Sequence, residues 1–125
     1  MVKKLKVLII EDEPMLRDAY RHVLRFKGYK VAVAADGEEG LQLLDRHKPD
    51  IVLLDVLMPK LDGIDFLRQA GIKERYPKTK VLACTNLSDH KTREQMAEAG
   101  ADKQVLKSDL SPTELVQLIE QLANA

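Results

Sequence analysis

Ile51-Val52-Leu53-Leu54-Asp55-Val56-Leu57-Met58-Pro59-Lys60-Leu61-Asp62-Gly63 sets four apolar residues in a row and then an aspartate. A run this short, closed by turn-forming residues, reads as a strand buried on both faces, Ile51–Leu54. Outward from it, four more short segments rich in Val, Ile and Leu read the same way. They are Leu5–Ile10, Lys30–Ala34, Lys80–Thr85 and Lys103–Leu106.

Helical spacing fills the intervals. Leu16, Ala19, Tyr20, Val23 and Leu24 form an apolar stripe at i, i+3, i+4 spacing. Leu41 with Leu44, Ile64 with Leu67, and Leu115 with Leu118, Ile119 and Leu122 repeat it. The stretch Asp89–Ala99 offers little beyond Met96, Ala97 and Ala99, which predicts a loosely held fourth helix. Punctuation agrees. Pro14 suits a first helical turn, and Gly28 and Gly100 follow helices as stops. Asp36 with Glu39 has capping-box spacing, and Ser111 with Glu114 is a capping box with Pro112 at the first helical position. Asp62-Gly63 reads as a turn.

Strand and helix therefore alternate five times. That pattern predicts an α/β fold, a (βα)5 doubly wound, five-stranded parallel sheet with helices on both faces. The 125 residues suit one domain, and no linker, low-complexity tract or repeat divides them. The reading is a single domain over residues 1–125, with no output domain after the fifth helix.

Composition narrows the function. Lys plus Arg is 20 and Asp plus Glu is 20, so the formal net charge is zero and nothing electrostatic calls for a nucleic acid or a membrane. The single cysteine, Cys84, lies in an apolar run and reads as a buried small hydrophobe. The apolar run near the N-terminus is too short for a signal peptide or membrane helix, so a reduced, cytoplasmic setting is expected. His22, His47 and His90 lack carboxylates at ligand spacing and read as surface residues. Lys3, Lys4 and Lys6 read as a solvated strand edge.

In an open parallel sheet, ligands bind beyond the carboxyl ends of the strands. Those ends carry Glu11, Asp12 and Glu13 after the first strand and Asp55 after the third. Thr85 and Asn86 close the fourth, and Lys107 follows the fifth. In the flavodoxin-like order 2-1-3-4-5 they converge on Asp55. Crowded carboxylates need a hard cation, and magnesium, held by one or two carboxylates plus waters, is the natural choice. Lys107 adds a positive charge for a phosphoryl group, Thr85 a hydroxyl donor, and Asp55 a nucleophile that forms an acyl phosphate.

At these residues the chain resembles the receiver domains of two-component response regulators along its whole length. The acidic pair Glu11-Asp12, the run Asp55 to Gly63 with its Met58-Pro59 and Asp62-Gly63, and Gly100-Ala101-Asp102 followed by Lys107 carry the likeness. The resemblance implies that Asp55 is the phosphoacceptor. It implies that Glu11, Asp12, Asp55 and the backbone carbonyl of Leu57 hold Mg2+, with Mn2+ as a substitute. It also implies that Thr85 and Lys107 meet the phosphoryl group; Asn86, beside Thr85, either donates to that group as well or narrows access to Asp55. The donor would be a histidine kinase or phosphotransfer protein, and an unidentified downstream protein would bind at the fourth helix, fifth strand and fifth helix.

Departures accompany the likeness. The family's usual Tyr or Phe three residues before the lysine is Gln104, which cannot fill the same apolar pocket. The residue after the lysine is Ser108 rather than Pro, so a trans bond is expected. Asn86 replaces a common Ala. Leu57 and Leu87 cannot position an attacking water, which predicts slow self-dephosphorylation. Lys103 and Leu118 stand where one DNA-binding subfamily carries dimer-forming charges, so that dimer is not expected. Two other readings compete. One is a degenerate receiver that binds protein without phosphorylation. The other is a hydrolase, against which Leu57 stands where the acid–base Asp of aspartyl-phosphate hydrolases belongs.

Overall fold

The structure, a computed structural model, describes residues 4–56, 61–85 and 90–124. Five strands, β1 (Lys6–Ile10), β2 (Lys30–Ala34), β3 (Ile51–Asp55), β4 (Lys80–Thr85) and β5 (Lys103–Leu106), pair in parallel in the order β2-β1-β3-β4-β5. The helices are α1 (Pro14–Phe26), α2 (Gly37–His47), α3 (Gly63–Ala70), α4 (Ile72–Arg75), α5 (His90–Ala99) and α6 (Pro112–Ala123). The expected fourth and fifth helices are thus α5 and α6, and the fold class is the expected one.

Alternation along each strand divides the core. Leu8, Ile10, Val52, Leu54, Val81 and Ala83 face α2, α3 and α5. Val7, Ile9, Ile51, Leu53, Leu82 and Cys84 face α1 and α6. All twelve are buried, because β1, β3 and β4 are covered on both sides. This double burial makes their sequences continuous apolar runs.

The caps behave as read. Asp36 accepts from Glu39 N–H and Ser111 from Glu114 N–H, opening α2 and α6. Asp62-Gly63 is not a free-standing turn. The Asp62 carboxylate accepts from Asp65 N–H as the N-cap of α3, and Gly63 is that helix's first residue. The third interval holds two helices because Gly71, at φ +57°, ends α3 in a left-handed turn and buried Ile72 restarts the chain as α4. β3 runs one residue further than expected and takes in Asp55, whose register partner is Cys84. Met96 is the buried residue of α5, in keeping with its weak stripe.

Two surface readings need revision, and a third gains a partner. His47 is half-buried, with Nε2 enclosed and without a partner among the described residues, and burial lowers its pKa. His90 is at the surface as read, but it does have a carboxylate partner, Glu94 one turn on at 2.9 Å. Lys6 opens an interior strand and its N–H donates to Asp50 Oδ2, so Lys6 marks no sheet edge, and Lys3 lies outside the described residues.

Candidate functional site

β1 and β3 lie side by side at the centre of the sheet, and their ends deliver the acidic residues together. Glu11 leaves β1 with its N–H bound to the Ala34 carbonyl, so the ladder fixes where its side chain starts. Its carbonyl accepts from Arg17 Nη1 at 2.9 Å, which ties the loop to the first turn of α1. One carboxylate oxygen from each of Glu11, Asp12 and Asp55 lies within 4.8 Å of the others. Glu11 and Asp55 are 2% and 6% exposed, whereas Asp12 is open to solvent.

Lys107 reaches this cluster from the far side of the sheet. Its Nζ lies 2.7 Å from Glu11 Oε1 and donates to Asp55 Oδ2 at 2.9 Å. One ammonium therefore bridges two buried carboxylates that approach each other from adjacent strands. The loop after β5 opens with a 3-10 turn, Lys107–Asp109, closed by Leu110 N–H on the Lys107 carbonyl. The peptide bond after Lys107 is trans, as expected of Ser108.

The electrostatics follow from burial and crowding. Burial first, then the neighbouring Asp55, pushes the Glu11 carboxyl up to about 7 despite the opposing pull of Lys107. Burial alone would lower the Lys107 ammonium, but its bonds to Glu11 and Asp55 outweigh that and hold it above its ordinary value. Cys84, buried beside Asp55, has its thiol raised to about 12, chiefly by desolvation. It is the inert hydrophobe expected.

Oxygen-only donors, two of them buried and one exposed, suit a hard divalent cation. An ion there would offset the proximity of carboxylates that one lysine only partly neutralises. Mg2+ fits this donor set, and the residues that would hold it are Glu11, Asp12 and Asp55. The Leu57 carbonyl and the Asn86 side chain, both expected at the site, lie outside the described residues.

Thr85 is buried at the end of β4, next in chain to the register partner of Asp55. Gln104 is half-buried on β5 and does not turn toward the cluster. Its Nε2 donates to the Arg93 carbonyl at 2.8 Å and ties β5 to α5.

Two supporting groups are not evident in the sequence reading. Gly63 packs against the backbone that follows Asp55, where a Cβ would stand 2.9 Å from Val56 Cα and 3.1 Å from the Asp55 carbonyl oxygen. The Asp62-Gly63 pair was visible, but as a turn, with nothing to say what it faced. The second is Tyr20 of α1, whose hydroxyl is fully enclosed and has no hydrogen-bond partner among the described residues. Leaving a buried hydroxyl unpaired costs roughly 1–3 kcal/mol. Burial and the charges of Cys84 and Glu11 raise it to about 12, and Lys107 and Asp55 act on it too. In sequence Tyr20 was one more member of an apolar stripe.

A doubly wound parallel sheet that gathers three carboxylates and a lysine at its carboxyl edge defines an α/β switch-point site. The family model of the response regulator receiver domain matches residues 7–120, and the chain belongs to that family, the receiver domains of two-component systems. Among curated relatives it is 39% identical over 114 residues to the probable transcriptional regulator ycf27 of Porphyridium aerugineum, covering 91% of this chain and 46% of the relative. It is 38% identical over 112 residues to the transcriptional regulatory protein PdtaR of Mycobacterium tuberculosis, covering 86% and 53%. The chain thus spans about half the length of the curated relatives it matches. Among solved structures, the chemotaxis protein CheY4 of Vibrio cholerae superposes with a TM-score of 0.88 at 27% identity, covering 96% of this chain and 99% of that one. A CheY-like receiver domain protein of Methanospirillum hungatei gives 0.90 at 27% identity, covering 98% and 95%. Among the described residues, no helix is long and apolar enough to cross a membrane.

Proposed function

We propose that residues 1–125 act as one receiver domain, a signalling switch that accepts a phosphoryl group on Asp55 from a histidine kinase or phosphotransfer protein. The observation that carries this reading is the Lys107 ammonium bound at once to Asp55 Oδ2 and Glu11 Oε1. It supports a pocket in which a cation is held against the carboxylate that would react and against its acidic neighbour. Asp55 attacks the phosphorus of the donor phosphohistidine. The new O–P bond forms as the N–P bond breaks, and the departing imidazole keeps the electron pair and takes a proton from water. Lys107 then faces the phosphoryl oxygens as well as the carboxylate. Bound Mg2+, held by Glu11, Asp12, Asp55 and the Leu57 carbonyl, would supply further neutralisation of those oxygens. Thr85 and Asn86 would donate to them, and with leucine at 57 and 87 hydrolysis of the acyl phosphate is slow.

The donor would dock where α1 leaves the site. Met15 and Phe26 are 83% and 86% exposed, and eleven residues of helix bring them within about 20° of one outward face. An apolar pair at that spacing suits a helical partner. The downstream protein would read α5, β5 and α6. The sparse anchoring of α5, through Met96, leaves this surface free to have two arrangements.

A second reading is a protein-binding module that no longer answers to phosphorylation. The Gln104 bond to the Arg93 carbonyl favours it, since that bond holds β5 to α5 where the family's mobile aromatic belongs. Incubation with Mg2+ and acetyl phosphate separates the two. Intact mass spectrometry should register one added phosphoryl group, absent from Asp55→Ala. If the wild-type chain gains nothing from acetyl phosphate or from a phosphorylated donor, the binding-module reading replaces the switch.

A further inference from the structure

Two donors and acceptors near the acidic cluster are left over once its ion pairs are counted. The Lys107 ammonium has three protons, and among the described residues its partners are Glu11 and Asp55 alone. The Tyr20 hydroxyl, buried on the neighbouring helix, has no partner among them. Tyr20 lies two turns into α1, which begins at the acidic loop, and helical side chains lean toward their own N-terminus. Its ring shares the α1–α6 side of the core with Cys84, which is in register with Asp55. Arg17, one turn earlier, already reaches the Glu11 carbonyl. Arg17 thus ties α1 to the acidic loop, and Tyr20 is buried one turn further along the same helix.

Lys107 holds one oxygen each of Glu11 and Asp55, two of the three carboxylates that a cation would draw on. If Glu11 turns to a cation, the Lys107 ammonium loses that acceptor inside a largely dry pocket. We propose that Tyr20 is a positioning residue: its hydroxyl accepts the Lys107 proton that Glu11 gives up, directly or through one buried water, and so holds the ammonium in place beside Asp55. The inference rests on reading the cluster as a cation site. It gives the orphan hydroxyl a use in one arrangement of the pocket that it lacks in the other. An apolar residue would fill the same core volume without that standing cost.

The test is a double-mutant cycle on magnesium affinity, read by calorimetric titration of the whole chain with magnesium chloride. Tyr20→Phe should weaken binding three- to tenfold, the range expected for one hydrogen bond. In a Lys107→Ala background the same substitution should change nothing, because the hydroxyl acts through Lys107. Tyr20→Met, which keeps apolar bulk without the hydroxyl, should repeat both results and guards against a folding defect of the phenylalanine variant. Equal affinities for wild type and Tyr20→Phe overturn the proposal, as does an undiminished loss in the Lys107→Ala background. If the wild-type chain binds no magnesium, the cation-site reading itself falls, and this inference with it.

Discussion

Replacing Lys107 by methionine keeps the length of the side chain and removes its charge. Two buried carboxylates, Glu11 and Asp55, would then face each other across adjacent strands with no cation between them. Breaking a buried ion pair from one side costs about 3–5 kcal/mol, and the 12% exposure of Lys107 argues for the lower end. The expected loss is about 3 kcal/mol at pH 8, or roughly 10 °C in Tm for a chain of this size. The loss must depend on pH, and its sign follows from Glu11. That carboxyl sits at about 7 in the folded chain against 4.5 ordinarily. A raised folded value contributes stability that is complete below 4.5 and is lost as the pH climbs through 7. Without Lys107 the Glu11 value rises further, so at pH 5.5 Glu11 is protonated and the charge clash disappears. Urea denaturation at pH 8 and pH 5.5, in metal-free buffer, measures both terms. We expect the difference between wild type and Lys107→Met to be smaller at pH 5.5 by about 1 kcal/mol, since only the stretch from pH 7 to pH 8 separates the two Glu11 titrations. A loss below 0.5 kcal/mol at pH 8, on the scale of a surface pair, or one identical at both pH values, would refute the argument.

Three further outcomes are expected. Glu11→Gln should flatten the dependence of stability on pH between 4.5 and 7, measured by thermal melts across that window, because the titrating group that causes it is gone. Gly63→Ala places a Cβ 2.9 Å from Val56 Cα, so it should cost about 1–3 kcal/mol and slow phosphorylation of Asp55 by acetyl phosphate; an unchanged urea midpoint and rate would show that the backbone yields freely. Met96→Ala removes the buried anchor of α5 and should speed amide exchange in residues 90–99 more than in α1, with a total loss of about 2–4 kcal/mol; uniform acceleration across both helices would show that α5 is no separate unit.

Most of the fold was legible because burial on both faces leaves a plain mark. β1, β3 and β4 are uninterrupted apolar runs, and their ends carry Glu11, Asp12, Asp55 and Thr85 to one edge once the strand order is known. Lys107 was legible for the same reason, as the first residue after β5. What remained hidden depends on contacts between elements distant in sequence. Nothing local says that Gly63 is pressed against the backbone after Asp55, whereas the Asp62 cap, three residues from its partner Asp65, had a local signal that the turn reading passed over. Tyr20 matched the periodicity of a core residue and is one; what sets it apart is a hydroxyl enclosed without a partner among the described residues. Gln104 was visible as a departure, but its bond to the Arg93 carbonyl joins a strand to a helix eleven residues earlier, a pairing that spacing does not encode.

The central claim is that the cluster turns Asp55, and no other carboxylate, into a phosphoryl acceptor. Borohydride reduction after exposure to acetyl phosphate and Mg2+ converts an aspartyl phosphate to homoserine, and peptide mapping then locates it. The account predicts homoserine at position 55, greatly reduced in Lys107→Met and absent without divalent cation. Label at Glu11 or Asp12, or label at position 55 that persists undiminished in chelator, would contradict it.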